Sequence, residues 1–259
     1  MSFSFTVWKL TPFDAFVLIS VFWFFGFFVH AGEAPASNMN RAAYLKDFIP
    51  ELQAQWPANR IINIVCLGDS ITAGYLQTPL VTRTRSYPAL LAAWLEETFP
   101  HSTVNVINVG IGGDTTTGGL ARLQRDVTNH QPELVTVCYG MNDFGEMSVA
   151  QFENNLREIV NQLQKAQIKW IVLMTTMPHV SGGEKQKPYM EAIGKVAQEM
   201  KVGFADVYGR YQKLLAKKPD PKTIWSNGIN HPTYEGHKIF LEALVELFQQ
   251  AAAAQPARK

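Results

Sequence analysis

Short runs of apolar residues alternate along the chain with longer segments in which apolar residues recur at helical spacing. The apolar runs, rich in Val and Ile, occupy residues 61–67, 104–109, 134–139, 170–174 and 202–207. Short runs of this kind, bounded by Gly, Asn, Asp or Pro, are typical of parallel strands that are buried on both faces. Helical spacing predicts helices over residues 87–98, 116–129, 149–167, 189–200 and 233–252. Five strands alternating with helices predict an α/β fold in which helices cover both faces of a parallel sheet.

Composition and charge exclude several classes of protein. Hydrophobic residues make up 47% of the 259 residues and charged residues 17%, which is enough apolar material for a compact core. Lys and Arg number 23 against 22 Asp and Glu, so the chain lacks the basic surface expected of a nucleic-acid-binding protein. Its two cysteines, Cys66 and Cys138, are too few for a disulfide scaffold or a four-cysteine zinc site.

The N-terminal segment differs from the rest of the chain. Residues 15–29 are apolar and uncharged, and as a helix they would span about 22 Å, less than the ~30 Å hydrocarbon layer of a bilayer. At the end of this segment, Val29-His30-Ala31 resembles a signal-peptidase site. We therefore expect residues 1–38 to form a signal peptide and linker, and residues 39–259 a single secreted or periplasmic domain. The alternative is a retained membrane anchor that holds the domain outside the cytoplasm.

Residues with catalytic chemistry follow the predicted strands or precede the last helix. Gly68-Asp69-Ser70 comes after the first strand, a glycine-rich loop containing Gly113 after the second, and Asn142 after the third. His231 lies just before the last helix, which begins near Pro232. Ligands of such sheets bind beyond the carboxyl ends of the strands, where these residues are expected to meet. Each segment alone is also explained by an ordinary helix cap or turn.

Taken together, the four segments resemble the sequence blocks of the SGNH (GDSL-type) hydrolases. The four matching segments, in chain order, are Gly68-Asp69-Ser70-Ile71, Asn108-x-Gly110-x-x-Gly113-x-Thr115, Gly140-x-Asn142-Asp143 and His231-Pro232. The resemblance implies a three-layer, flavodoxin-like sandwich whose five parallel strands lie in the order 2-1-3-4-5.

The resemblance also implies roles for individual residues. Ser70 would be the nucleophile and His231 the general base, and the Gly113 N–H, the Asn142 side chain and the Ser70 N–H would form the oxyanion hole. The implied activity is that of a serine esterase without cofactor or metal. Its substrate would be a lysophospholipid, a short-chain acyl ester, a thioester or an O-acetylated sugar. The alternative is a catalytically impaired carbohydrate-binding or surface protein on the same scaffold.

The chain departs from the family pattern beside the histidine. The family places an Asp three residues before the His, whereas this chain has Gly228 there, preceded by Asn227. Asn227 could accept the hydrogen bond of the imidazole Nδ1–H, or a backbone carbonyl could do so, which would leave a Ser–His dyad. A third explanation is a carboxylate from elsewhere, such as Asp220 or Glu235. We favour the first two.

The remaining candidates have weaker sequence signals. His179 follows the fourth strand and could line the substrate cleft, and Arg83 and Arg85 could bind an anionic group. If the two cysteine-bearing strands are neighbours, Cys66 and Cys138 would lie side by side, and we expect both to be free thiols. His231, Glu235 and His237 do not have the spacing of a metal site.

Overall fold

The computed structural model describes residues 44–217 and 224–255. The predicted signal peptide or anchor lies outside these residues, and so does Asp220. Within the described ranges, no helix combines the length and the apolar character needed to cross a bilayer.

A five-stranded parallel sheet forms the centre of the fold. Its strands are β1 (Ile61–Gly68), β4 (Thr103–Asn108), β5 (Leu134–Cys138), β6 (Trp170–Met174) and β7 (Gly203–Ala205). They lie in the spatial order β4-β1-β5-β6-β7, which is 2-1-3-4-5 when only these five strands are counted. The predicted strand order and fold class are therefore confirmed. The two remaining strands, β2 (Tyr75–Gln77) and β3 (Leu80–Val81), form a small antiparallel hairpin that the sequence pattern did not predict.

Helices connect the strands and cover the sheet. They are α1 (Ile49–Leu52), α2 (Ser70–Ala73), α3 (Tyr87–Thr98), α4 (Thr116–Asp126), α5 (Asp143–Glu146), α6 (Val149–Lys165), α7 (Gly183–Glu199), α8 (Val207–Lys217) and α9 (Tyr234–Ala253). Single 3₁₀ turns occur at Arg83–Arg85 and Thr128–His130.

The sheet buries apolar side chains on both faces. Along β1, Ile62, Ile64 and Cys66 point into one core cluster, which α3 and α9 cover. The alternate residues Val65 and Leu67 point into the second cluster, which α4, α6 and α7 cover. This alternation at a period of two residues makes the strand apolar throughout and produces the three-layer sandwich.

The register of the sheet corrects the prediction for the two cysteines. Cys66 pairs with Thr136 and Cys138 pairs with Gly68, so the thiols are offset by two residues along neighbouring strands and are not side by side. Both are buried free thiols, as expected. The offset arises because β1 and β5 end at paired residues, Gly68 and Cys138, so that Ser70 lies two residues beyond its strand and Asn142 four residues beyond its strand.

Candidate active site

Ser70 is the first residue of a short helix, α2, that begins directly after strand β1. Asp69 precedes it as the N-cap, and its Oδ1 accepts a hydrogen bond from the Ile71 N–H at 2.9 Å. Ser70 itself is buried, with 5% of its surface exposed. The strand and the cap therefore hold the Ser70 hydroxyl in a fixed position at the carboxyl edge of the sheet.

His231 lies against Ser70, although 161 residues separate them in sequence. The distance from His231 Nε2 to Ser70 Oγ is 3.1 Å, a hydrogen-bond distance. The backbone around His231 is fixed because its carbonyl accepts a hydrogen bond from the Ser226 N–H at 2.8 Å. Burial lowers the pKa of His231 below its ordinary value of 6.5, which favours the neutral ring. A neutral imidazole can accept the proton of the Ser70 hydroxyl.

The other ring nitrogen of His231 shows that Asn227 does not orient the imidazole. His231 Nδ1 is buried and has no hydrogen-bond partner among the residues that the structure describes. The Asn227 Oδ1 instead accepts hydrogen bonds from the backbone N–H groups of Ile229, Asn230 and His231, each at 3.0 Å. Its Nδ2 donates to Asn230 Oδ1 at 2.9 Å. Asn227 thus shapes the loop that carries His231 and does not touch the ring.

The other proposed partners of the imidazole are not in place either. Glu235 is 66% exposed at its side chain and pairs with Lys238 at 2.9 Å. No backbone carbonyl of residues 44–217 or 224–255 accepts a hydrogen bond from Nδ1. Asp69 lies next to Ser70, but burial, with smaller contributions from Asp143 and Asp114, raises the pKa of its carboxyl to about 8. The raised pKa favours the protonated, uncharged form of the Asp69 carboxyl.

The glycine-rich loop after β4 packs directly on the turn that carries Ser70. The Asn108 Nδ2 donates to the Thr72 carbonyl at 2.7 Å, and the Ile111 N–H donates to the Gly68 carbonyl at 3.1 Å. Gly110 is so close that a Cβ there would lie 2.2 Å from the Ala73 nitrogen. Gly113 has φ +73°, a left-handed conformation that glycine adopts without strain.

Asn142 is attached to this same loop. It lies four residues beyond the end of β5, as the N-cap of α5, and its Nδ2 donates to the Asp114 carbonyl at 2.8 Å. The next residue, Asp143, is buried and accepts hydrogen bonds from the Thr116 N–H at 2.8 Å and the Gly140 N–H at 2.9 Å. The structure therefore joins the loops of Gly113 and Asn142 to each other.

A buried arginine, which the sequence pattern did not single out, holds the same loops in place. Arg122 is 7% exposed and pairs with Asp114 Oδ2 at 2.7 Å. Its guanidinium also donates to the carbonyls of Gly68 at 3.1 Å and Val109 at 2.6 Å, and to the Tyr139 hydroxyl at 3.0 Å. It thereby links the ends of β1, β4 and β5. The sequence signal that could have identified Arg122 is its position three residues after Gly119, which places both on the same, buried face of α4.

Tyr75 and His179 also surround the site. The Tyr75 ring lies 5.6 Å from the His231 ring between centroids, and its hydroxyl touches Gly112. His179 stands against Phe144, with 5.4 Å between ring centroids, and the Ser181 N–H donates to its Nδ1 at 3.1 Å. Within the described ranges, no group of three or more His, Cys, Asp or Glu side chains is arranged to hold a metal ion.

Comparison with known proteins gives a consistent result. Residues 66–239 match the model of the GDSL-like lipase/acylhydrolase family. The Escherichia coli K12 protein thioesterase 1/protease 1/lysophospholipase L1 is 31% identical over 188 residues, which cover 72% of this chain and 83% of that protein. An arylesterase of Vibrio mimicus is 31% identical over 184 residues, 71% of this chain and 86% of that protein.

Solved structures agree on the fold. The acetylxylan esterase Axe2 of Geobacillus stearothermophilus has a TM-score of 0.62 and 25% identity, and the match covers 72% of this chain and 93% of that one. A two-domain esterase active on acetylated mannans has a TM-score of 0.69 at 22% identity, covering 83% of this chain and 55% of that one.

Proposed function

The chain belongs to the GDSL-like lipase/acylhydrolase family and is a carboxylic ester hydrolase, and from that premise we propose that it works through a Ser70 acyl-enzyme. The observation that carries this proposal is the 3.1 Å contact between Ser70 Oγ and His231 Nε2. A serine hydroxyl needs an adjacent base to become a useful nucleophile, and a neutral imidazole at hydrogen-bond distance supplies it.

In the first half of the reaction, His231 Nε2 takes the Ser70 proton while Oγ attacks the ester carbonyl carbon. The negative charge that develops on the carbonyl oxygen is stabilised by the N–H groups of Gly113 and Ser70 and by the Asn142 side-chain N–H. These donors are rigidly placed because the loops that carry them are bonded to each other and to Arg122. The intermediate collapses, the alcohol leaves with the proton from His231, and the acyl group remains on Ser70.

In the second half, His231 takes a proton from water and the resulting hydroxide attacks the acyl carbonyl. Collapse of that intermediate returns the proton to Ser70 Oγ and releases the carboxylic acid. Because His231 Nδ1 has no partner among the described residues, the imidazolium formed in each half is stabilised less than in a complete triad. We therefore propose a slower enzyme than one with the family Asp.

For the substrate we propose small or surface-lying acyl groups, as in short-chain acyl esters, thioesters, lysophospholipids or O-acetylated sugars. This range follows the activities for which the relatives are named, among them thioesterase, lysophospholipase and acetylxylan esterase. Measuring kcat/KM on one ester of each class identifies the preferred substrate class as the one with the highest value.

The decisive experiment for this proposal compares wild type and Ser70→Ala on p-nitrophenyl acetate and butyrate. We expect Ser70→Ala to lose at least about 10³-fold in kcat, the usual cost of removing a catalytic serine. Equal rates in the two proteins would overturn the acyl-enzyme and would favour the non-catalytic carbohydrate-binding or surface protein as the function of this scaffold.

On sequence alone we also propose that residues 15–29 direct export of the domain to the periplasm or the exterior. Cleavage of the chain between Ala31 and Gly32 would leave Gly32 as the first residue of the mature protein. Intact-mass measurement of the protein from a cell fraction outside the cytoplasm tests this. Full-length chain found only in the cytoplasm would contradict both export and an exported anchor.

A further inference from the structure

Large exposed hydrophobic side chains are concentrated around the Ser70–His231 pair. Among the described residues, eight large hydrophobics are exposed, and two of them, Trp56 and Ile61, lie before or at the start of β1, at the opposite edge of the sheet. The other six, which we call the apolar rim, are Leu80, Val81, Ile111, Val180, Ile229 and Tyr234. All six belong to loops or element ends at the carboxyl edge of the sheet.

Direct contacts join the segments that carry the apolar rim. In the hairpin, Val81 pairs with Tyr75. The Tyr75 hydroxyl lies close to Gly112, 2.7 Å from the position that a Cβ on this glycine would take. The Val180 N–H donates to the Ile229 carbonyl at 2.9 Å. The Ser226 hydroxyl donates to the carbonyl of Leu76 and so ties the histidine loop to the hairpin. The rim is therefore a connected surface and not a scatter of isolated side chains.

Uncompensated positive charge lies next to this surface. Residues 77–86 contain Arg83 and Arg85 and no carboxylate. The Arg83 guanidinium donates to the backbone carbonyl of Asn108, which carries no charge. The Arg85 side chain is exposed, and in the described part of the chain it forms neither an ion pair nor a hydrogen bond. Apolar side chains thus share one face with two arginines, of which Arg83 is bonded to a neutral carbonyl and Arg85 has no partner among the described residues.

We propose that the apolar rim and Arg85 dock this protein on an anionic lipid surface, with the Ser70–His231 pair facing the lipid. Contiguous exposed apolar side chains on a protein surface mark an interaction site, because their burial removes apolar area from water. A lipid surface with anionic headgroups complements both features, since side chains of the rim enter the acyl region while arginines bind phosphate. The proposal concerns the surface on which the enzyme works and is separate from the chemistry at Ser70.

The test uses a fluorophore attached to the rim of the full chain. Cys66 and Cys138 are both fully buried, so a cysteine introduced by Leu80→Cys can be labelled selectively with an environment-sensitive nitrobenzoxadiazole dye. Ile61→Cys is the matched control, because Leu80 is 67% exposed and Ile61 60% exposed, at opposite edges of the sheet. Both labelled proteins carry residues 15–29, so any membrane affinity of that segment affects them equally.

We expect vesicles of phosphatidylcholine with phosphatidylglycerol to shift the emission of the dye at residue 80 to the blue and to increase it. The dye at residue 61 should not respond, and vesicles of phosphatidylcholine alone should produce a weaker response at residue 80. Arg85→Gln should weaken the apparent affinity for the anionic vesicles about fivefold, which corresponds to about 1 kcal/mol per arginine at such a surface. An unresponsive dye at residue 80, or equal responses at both positions, overturns the proposal.

Two other occupants of the rim give different results. If a second copy of the chain covers it, the dye at residue 80 responds to protein concentration without vesicles. If it only holds the acyl group of a soluble substrate, Leu80→Ser with Val180→Ser raises KM for p-nitrophenyl hexanoate and vesicles have no effect on the dye. Either result contradicts lipid docking. The labelled protein that also carries Ser70→Ala should respond to vesicles as the parent protein does. The outcome of this test therefore does not depend on whether the catalytic proposal is correct.

Discussion

His231 is the residue whose environment most directly controls the proposed chemistry. Its Nε2 contacts the Ser70 hydroxyl, and burial lowers its pKa from the ordinary 6.5. A lowered pKa means that the ring loses its proton at a lower pH than a free histidine does. The neutral form, which is the base, is therefore present from mildly acidic pH upward.

The lowered pKa of His231 predicts how the esterase activity depends on pH. We expect kcat/KM for p-nitrophenyl acetate to rise with pH through a single inflection below pH 6.5 and to stay level through neutral pH. Burial also lowers the pKa of His179, so His179→Ala serves as the control and should keep the same inflection. Burial lowers the pKa of His237 to about 3, which removes it from this range. The absence of a rising inflection below pH 6.5 would contradict the placement of His231, whereas an inflection near pH 8 belongs to the Asp69 carboxyl beside Ser70.

Asn227 acts on the loop and not on the ring, because its oxygen accepts three backbone hydrogen bonds. Asn227→Ala should destabilise the protein by about 1–3 kcal/mol, since three N–H groups lose their acceptor, and should lower kcat/KM. Asn227→Asp keeps an oxygen in that place and should retain most of the activity and stability. Thermal unfolding and the pH profile measure both effects. A shift of the inflection to higher pH in Asn227→Asp would show instead that position 227 contacts the imidazole.

At the residue scale, the sequence predicted the contact between Ser70 and His231 but not the surroundings of the ring. The serine and histidine follow from motif blocks at strand ends, whose meeting the topology requires. The contacts of Asn227 depend on the loop conformation, in which Gly228 has φ +71°. The backbone torsions of such a loop decide which side chain faces the ring, and no spacing rule reports them.

At the scale of elements, the glycine loop after β4 has to lie directly on the helix that begins with Ser70. Gly110→Ala would place a Cβ 2.2 Å from the Ala73 nitrogen and 2.7 Å from the Thr72 carbonyl carbon, both backbone atoms that cannot move alone. We expect a loss of about 3 kcal/mol in stability together with a loss of activity. Gly145→Ala is the control, because its Cβ would meet nothing within 4 Å. Chemical denaturation compares the two, and equal stabilities would contradict the close packing of this loop.

Arg122 holds the ends of three strands together. Arg122→Ala removes a buried guanidinium that pairs with Asp114 and binds the Gly68 and Val109 carbonyls, and should cost about 3–5 kcal/mol of unfolding free energy. Activity should fall as well, because Asn142 is bonded to the Asp114 carbonyl. Arg125→Ala, on the same helix and paired with Asp126 at an exposed position, should leave stability and activity almost unchanged. If urea unfolding finds the two variants alike, Arg122 does not have this structural role.

The hydrophobic pattern predicted most elements, and the exceptions have physical reasons. The strand Trp170–Met174 and the helix Tyr87–Thr98 have the predicted bounds. The helix Gly183–Glu199 begins six residues before the predicted start at residue 189 and continues through Pro188. Its first turn is held by Gln186, which accepts from the His179 N–H at 2.7 Å and donates to the Met177 carbonyl at 3.0 Å. Such tertiary contacts override local propensity.

At the scale of the whole molecule, the order of the strands determines where catalysis takes place. Strand β1 lies between β4 and β5, so the three loops that follow these strands emerge side by side. Those loops carry Ser70, Gly113 and Asn142, while His231 approaches from the segment before the last helix. The α/β fold class could be predicted from the alternating pattern of strands and helices, while the strand order came from the family resemblance. The meeting of these segments could be predicted because the carboxyl ends of parallel strands share one edge of the sheet. The apolar rim could not, because exposure of a loop side chain depends on how neighbouring loops pack.

Labelling with an alkyl fluorophosphonate tests the central claim most directly, because this reagent forms a stable adduct with an activated serine. We expect peptide mapping by mass spectrometry to find the adduct on Ser70, with esterase activity lost in proportion to labelling. His231→Ala should remain unlabelled under the same conditions, since its serine lacks a base. An adduct on another serine with activity lost, or full activity after complete labelling of Ser70, would contradict the account.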